Sequence, residues 1–195
     1  DGLLMAFTDP HNLEHHRGLL ELARRFERDP QVLIGDDVRV QEPRLSDRVI
    51  GGIYFPREEH LDPPALMGAL HHRLLELGVT ILEDAPINGA EHGGGGLRSI
   101  TAGDQQVGGD AYVLAAGAWT GPISRLLGVP LPVRPGKGYS IDVEPYDLQS
   151  SINLSDAKVA VTPLARNLRL AGTMEFAGLD EEREVAMRQS VHPGS

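Results

Sequence analysis

The sequence predicts an α+β fold, with a mostly antiparallel sheet and helices set around it. Three observations predict it. Helical and strand periodicities are mixed along 195 residues. The strand signals crowd together after residue 79 as short runs separated by turn residues. No internal repeat or long linker interrupts the chain. The length suits one large domain or two small ones.

Residues 11–28 are predicted helical, because Leu19, Leu20, Ala23 and Phe26 fall on one face at three-to-four spacing. Asp29-Pro30 ends that helix, since proline disfavours helical backbone in the residue before it. A second short helix is expected over 36–42, stopping before Pro43. Residues 49–55 form an apolar and aromatic strand in which Gly51 and Gly52 let another backbone or a ligand come close. Asp62-Pro63 is the clearest helix start. The Asp62 carboxylate can accept from first-turn amides, and proline suits the first helical position. Leu66, Leu70, Leu74 and Leu77 are the expected buried stripe of that helix, and Gly78 its terminator.

A strand is expected over 79–82, and shorter strands over 87–91, 97–101 and 105–107, with the glycines at 93–96 turning the first hairpin. The run 111–116 is an apolar strand ending at Gly117. Residues 120–127 follow as a short helix, with Thr120 as cap and Leu126 and Leu127 inward. Residues 134–143 are a long strand. The runs 159–162 and 168–171 pair as an antiparallel hairpin in the same sheet. A final helix over 180–190 carries Asp180, Glu181 and Glu182 in its first turn, where the helix dipole favours carboxylates.

Composition narrows the function. A net charge of −10 argues against nucleic acid and gives an anionic membrane little to hold. No apolar run approaches the roughly 20 residues of a membrane span. Asp1-Gly2 does not open a signal peptide. There are no cysteines, which excludes disulfides, thiolate catalysis and thiolate metal sites. The expectation is a cytoplasmic chain with a small-molecule partner, no metal and no integral membrane segment. Lys137 and Lys158 are the only lysines among 18 basic residues.

Few motifs carry chemistry. Ala116-Gly117-Ala118 ends an apolar strand ahead of a helix, where a glycine lets a cofactor approach the backbone; an ordinary strand–turn–helix junction has the same spacing. Arg134-Pro135-Gly136-Lys137-Gly138-Tyr139-Ser140 mixes basic groups with glycine. It lacks the spacing of a phosphate-binding P-loop, and a strand entry with a tight turn is the simpler reading. His11 and His15 are four apart, but with no third ligand nearby they read as part of a solvated helix face. No Gly-x-Gly-x-x-Gly joins a first strand to a first helix.

Four stretches together resemble the FAD-dependent D-amino-acid oxidase superfamily. They are Gly51-Gly52-Ile53-Tyr54-Phe55-Pro56 with His60-Leu61-Asp62-Pro63, and Gly78-Val79-Thr80-Ile81-Leu82 with Ile87. Next comes Val113-Leu114-Ala115-Ala116-Gly117-Ala118-Trp119, continuing through Leu131-Pro132-Val133-Arg134-Pro135 to Lys137-Gly138-Tyr139-Ser140. The last is the run from Leu168 to Gly178. The pattern is most similar to bacterial D-amino-acid dehydrogenases, with glycine and sarcosine oxidases as cousins.

The resemblance implies a substrate-binding domain over 1–77 and 129–195, with 78–128 a partial FAD-domain segment. It implies an internal piece of a longer protein, lacking the N-terminal Rossmann turn and the C-terminal segment. FAD is the implied cofactor of that longer protein, with little or none expected on this chain alone. Ile87, Ala116, Gly117, Trp119 and Gly138 are the implied cofactor-binding residues. Lys137, Tyr139, Lys158 and Val159 are the implied substrate-binding residues. The oxidases often place a tyrosine where Val159 or a neighbour stands, and that departure favours an apolar substrate side chain. The competing reading is a small independent α+β ligand-binding module without FAD.

Overall fold

The computed structural model describes residues 2–18, 20–26, 29–176 and 178–179. It divides into two compact units, one of residues 1–77 with 138–173, the other of residues 78–137 with the segment from Met174.

The first unit is organised by a seven-stranded sheet. Its strands are β1 (Leu3–Phe7), β2 (Gln31–Ile34), β3 (Gly51–Phe55), β7 (Lys137–Val143), β8 (Ser151–Leu154), β9 (Val159–Pro163) and β10 (Leu168–Glu175), in the order β2-β3-β1-β8-β9-β10-β7. β1 is antiparallel to β3 and parallel to β8. Every other neighbour pair with a defined register is antiparallel. The side-chain period of two sorts β1 onto two cores. Leu4 and Ala6 join Val38, Val49, Ile152, Val161 and Leu168 on one face. Phe7 joins Leu13, Leu20 and Ile53 on the other. Register enforces the sorting: Leu4 sits opposite Tyr54, and Met5 opposite Ile53.

The hairpin of β9 and β10 forms as expected, with Arg169 opposite Thr162 and Leu170 opposite Val161, in one sheet with β7. Three strands escaped the sequence: β1, β2 and β8. Each is only four or five residues long, too short for a period of two to stand out.

The predicted helix over 11–28 is two pieces, α1 (Pro10–Arg17) and α2 (Leu20–Arg24). The break falls at Gly18, which costs helix about 1 kcal/mol relative to alanine. Phe26, assigned to the inner face, is 69% exposed. α3 (Asp36–Gln41) matches expectation.

α4 (Pro63–Glu76) begins as predicted, with the Asp62 carboxylate accepting from the Ala65 amide at 3.1 Å. Gly78 ends it at φ +75, backbone that glycine adopts without penalty. Replacing Asp62 with alanine is expected to lower stability by about 1 kcal/mol in urea unfolding, while asparagine keeps most of the cap. The buried stripe is a correction. Leu66, Leu70, Leu74 and Leu77 are between 41% and 61% exposed, because no described element covers them.

The second unit holds a three-stranded antiparallel sheet of β4 (Ile87–Gly93), β5 (Gly96–Ala102) and β6 (Gln105–Gly108). A three-residue 3₁₀ turn (Gly117–Trp119) leads into α5 (Thr120–Leu126). Thr120 is the first helical residue and not the cap; Trp119 holds that position, with no side-chain cap bond. Leu126 is largely exposed, whereas Leu127 turns inward. The runs 79–82 and 111–116 form no strand, contrary to expectation. A strand exists through its ladder, and neither run has a ladder partner among the described strands. β7 starts at Lys137, three residues later than predicted. The helix expected over 180–190 lies outside the described residues.

Candidate functional site

In the second unit residues 112–116 line a cavity of about 1100 Å³ together with β4, β5 and α5. Its walls are chiefly apolar, among them Ile87, Ile100, Val113, Ala116, Ile123 and Leu127. Ile87 and Ala116, 29 positions apart in sequence, therefore meet at one cavity. Gly117 follows at φ +50, a left-handed conformation that side chains rarely adopt, and a Cβ placed on it would meet nothing within 4 Å among the described residues beyond its two chain neighbours. Trp119, two residues on, is more than half exposed.

Two residues that sequence reasoning passed over hold α5 in place. Ser124 is fully buried, donates to the Gly121 carbonyl at 2.9 Å and accepts from the Leu131 amide at 3.0 Å. A Cβ on Gly121 would stand 2.8 Å from the Val133 carbonyl oxygen, so that helix and strand entry touch backbone to backbone. Only the spacing of two small residues hinted at this in the sequence.

In the first unit β9, β10 and β7 lie side by side. Arg169 of β10 grips Asp142 of β7 through two bonds of 2.7 and 2.8 Å. The hydrogen bond from Arg169 leads the influences that hold the Asp142 carboxyl below its ordinary value, and its positive charge adds to it. This pair places Asp142 on the sheet face opposite Leu168 and Leu170. Alternation then turns Lys137 and Tyr139 to the Leu170 face, which Val159 shares. A Cβ on Gly172 would lie 3.4 Å from Val159 Cγ2 and 3.2 Å from the Lys158 carbonyl, so this glycine lets the two strands close up there. Gly138 has open space on its Cβ side.

Lys158 adopts φ +57 in the turn joining β8 to β9. That turn is tied down by Asp156, which the sequence did not single out. Its Oδ2 accepts from the Thr8 amide at 2.6 Å, the Thr8 hydroxyl at 2.9 Å and the Asp9 amide at 3.1 Å; its Oδ1 accepts from Asn12 Nδ2 at 2.6 Å. Burial is the largest single influence on this carboxyl and opposes ionisation. The bonds from Asn12, Thr8 and Asp9 together outweigh it and bring the pKa from 3.8 down to about 2. A depressed carboxyl stabilises the fold above its unfolded value. This contribution is therefore present above about pH 4 and is lost as the pH falls through about 2.

His60 ties the far end of the hairpin. The Pro163 carbonyl can only accept, so His60 Nε2 donates to it at 2.8 Å. In the neutral ring Nδ1 then accepts from the Ser151 hydroxyl at 3.1 Å. The histidines of α1 have ordinary local partners: His16 contacts the Asn12 carbonyl through Nδ1 at 2.9 Å and lies against the Phe7 ring.

The fold is shared with solved structures of an oxidase and a dehydrogenase. Glycine oxidase from Bacillus cereus ATCC 14579 superposes with a TM-score of 0.82 at 20% identity, over 97% of this chain and 54% of that one. L-Proline dehydrogenase from P. horikoshii gives 0.82 at 16% identity, over the same shares. In sequence, a D-amino acid dehydrogenase of Rhizobium rhizogenes is 30% identical over 83% of this chain and 40% of its own length. A D-amino-acid oxidase of Bradyrhizobium diazoefficiens is 31% identical over 92% of this chain and 43% of its own. The family model for FAD dependent oxidoreductases (DAO) matches residues 1–192. The chain belongs to this family of FAD-dependent oxidoreductases, and it spans about two fifths of the length of the curated relatives it matches.

The described residues suit part of FAD. An apolar cavity and a left-handed glycine with open space beside it can border flat, uncharged rings. The diphosphate asks for backbone amides at a glycine-rich strand–helix turn, and the described residues contain no such turn. Among them no helix is long and apolar enough to cross a membrane.

Proposed function

We propose that this chain is the substrate-side portion of a longer enzyme that oxidises the CH–NH bond of a D-amino acid or a related amine. The observation that carries this reading is the match of residues 1–192 to the FAD-dependent oxidoreductases. FAD supplies the hydride acceptor in such chemistry, and the protein positions the substrate against it. Loss of hydride from the α-carbon leaves an imine, which water hydrolyses to a 2-oxo acid and ammonia.

The division of labour follows from that reading. Residues 1–77 and 129–195 form the substrate-binding domain, and 78–128 belong to the FAD domain. Ile87, Ala116, Gly117, Trp119 and Gly138 border the cofactor. Lys137, Tyr139, Lys158 and Val159 border the substrate, whose α-carboxylate is a fitting partner for a lysine. Val159, with no polar group to offer, suits an apolar substrate side chain. The chain works in the cytoplasm.

The deciding measurement is dye-coupled turnover by the longer protein over a panel of D-amino acids, glycine, sarcosine and proline derivatives. Turnover is expected to be fastest with D-amino acids bearing apolar side chains. The 195-residue chain, purified alone, is expected to carry little FAD and to show no turnover. An FAD-loaded longer protein that oxidises none of these amines would overturn the proposal.

A further inference from the structure

Lys158 sits in backbone that non-glycine residues avoid, on an exposed turn, directly before the strand that carries Val159. Such a conformation persists only where its surroundings over-determine it. Here they do so at one place. Ser155, buried at the start of the turn, donates its amide to the Ala6 carbonyl at 3.0 Å. Next to it, the Asp156 carboxylate collects four hydrogen bonds from Thr8, Asp9 and Asn12, at the junction of β1 and α1. These partners lie nearly 150 positions away in sequence. The bonds reach both carboxylate oxygens, so the group is fixed in rotation as well as position.

We propose that Asp156 is a positioning residue for substrate recognition: by fastening the β8–β9 turn to the start of α1, it fixes where Lys158 and Val159 stand against the substrate. The proposal rests on the reading that these two residues border the substrate. It assigns Asp156 no contact with the reacting atoms. Without the clamp, the turn is free to relax Lys158 to negative φ, and Val159 moves with it. The predicted signature is a loss in substrate binding that the chemical step does not share.

The test uses the longer FAD-loaded protein with Asp156→Ala, and Thr8→Val as a milder variant that removes one of the four bonds. Asp156→Ala is expected to raise KM for apolar D-amino acids about tenfold while kcat falls less than about threefold. Thr8→Val is expected to raise KM about two- to threefold in the same direction. Limited trypsin digestion reads the clamp without any turnover, and cleavage after Lys158 is expected to accelerate in both variants. Faster cleavage with unchanged KM would show that the clamp serves stability only and would overturn the proposal, as would unchanged cleavage. Should Asp156→Ala fail to fold, the same two outcomes are read from Thr8→Val. A wild-type protein that oxidises no amine sinks the functional reading itself, and a substrate role for Asp156 falls with it. An active wild type with indifferent variants sinks this inference alone.

Discussion

Gly117→Val in the longer protein is expected to reduce bound FAD at least about tenfold and to abolish amine oxidation, while the fold survives. Two separate costs lead there. Gly117 lies at φ +50, where a β-branched side chain is strained by about 1–3 kcal/mol. The turn can shed that strain by moving to negative φ, but it then re-aims Ala116 and Trp119. The second cost concerns space. Among the described residues, its two chain neighbours aside, a Cβ at this position meets no atom within 4 Å, so the valine methyls would project into room left for another group. Asparagine separates the two costs, because it tolerates left-handed backbone yet fills the same space. Loss of FAD in both Gly117→Val and Gly117→Asn, read from the flavin absorption band, places the cofactor against this turn. Retention in Gly117→Asn alone means that backbone strain was the whole effect. If Gly117→Val keeps both FAD and turnover, the turn does not border the cofactor.

Gly52→Val is expected to do the reverse, damaging the fold before any site. Gly52 lies in β3, opposite Ala6 of β1. Its Cβ alone would stand 2.8 Å from Leu4 Cδ1, 2.9 Å from the Met5 carbonyl oxygen and 3.1 Å from Val38 Cγ2. A flexible side chain can yield a few tenths of an ångström. A carbonyl in the ladder of a central strand cannot, without giving up the register that keeps Leu4 on its core. Overpacking of this kind costs about 3 kcal/mol, and valine adds two methyls to the clash. For a chain of this size that corresponds to a fall in Tm of roughly 6–12 °C. Thermal unfolding followed by circular dichroism measures it, and a Tm within about 2 °C of wild type would contradict the packing described. The sequence allowed this glycine a neighbouring backbone or a ligand. The structure fills the position with protein.

Local chemistry was legible in advance. Asp62-Pro63 started a helix and Gly78 stopped it, because capping and left-handed termination depend on a few adjacent residues. The hairpin of β9 and β10 was legible for the same reason, as two alternating runs joined by a proline-bearing turn. The family, too, was legible from the order and spacing of four modest stretches, and the match over residues 1–192 agrees.

Residue order along the chain was enough for the helix and strand preferences of most segments, the α+β class and the family. Tertiary structure alone decided which of those segments found partners. Leu66, Leu70, Leu74 and Leu77 have the pattern of a buried face, but burial needs a second surface, and no described element provides one. The runs 79–82 and 111–116 have strand composition, yet a ladder requires a neighbour. In the other direction, Leu3–Phe7 gave little local signal and became an interior strand of the sheet, because β3 and β8 pair on either side of it. Asp156 was silent in the sequence for the same physical reason. A carboxylate on a turn is ordinary until folding brings Thr8, Asp9 and Asn12 within hydrogen-bonding distance. Propensity is a property of neighbours along the chain, whereas pairing, burial and charge-assisted hydrogen bonds belong to neighbours in space.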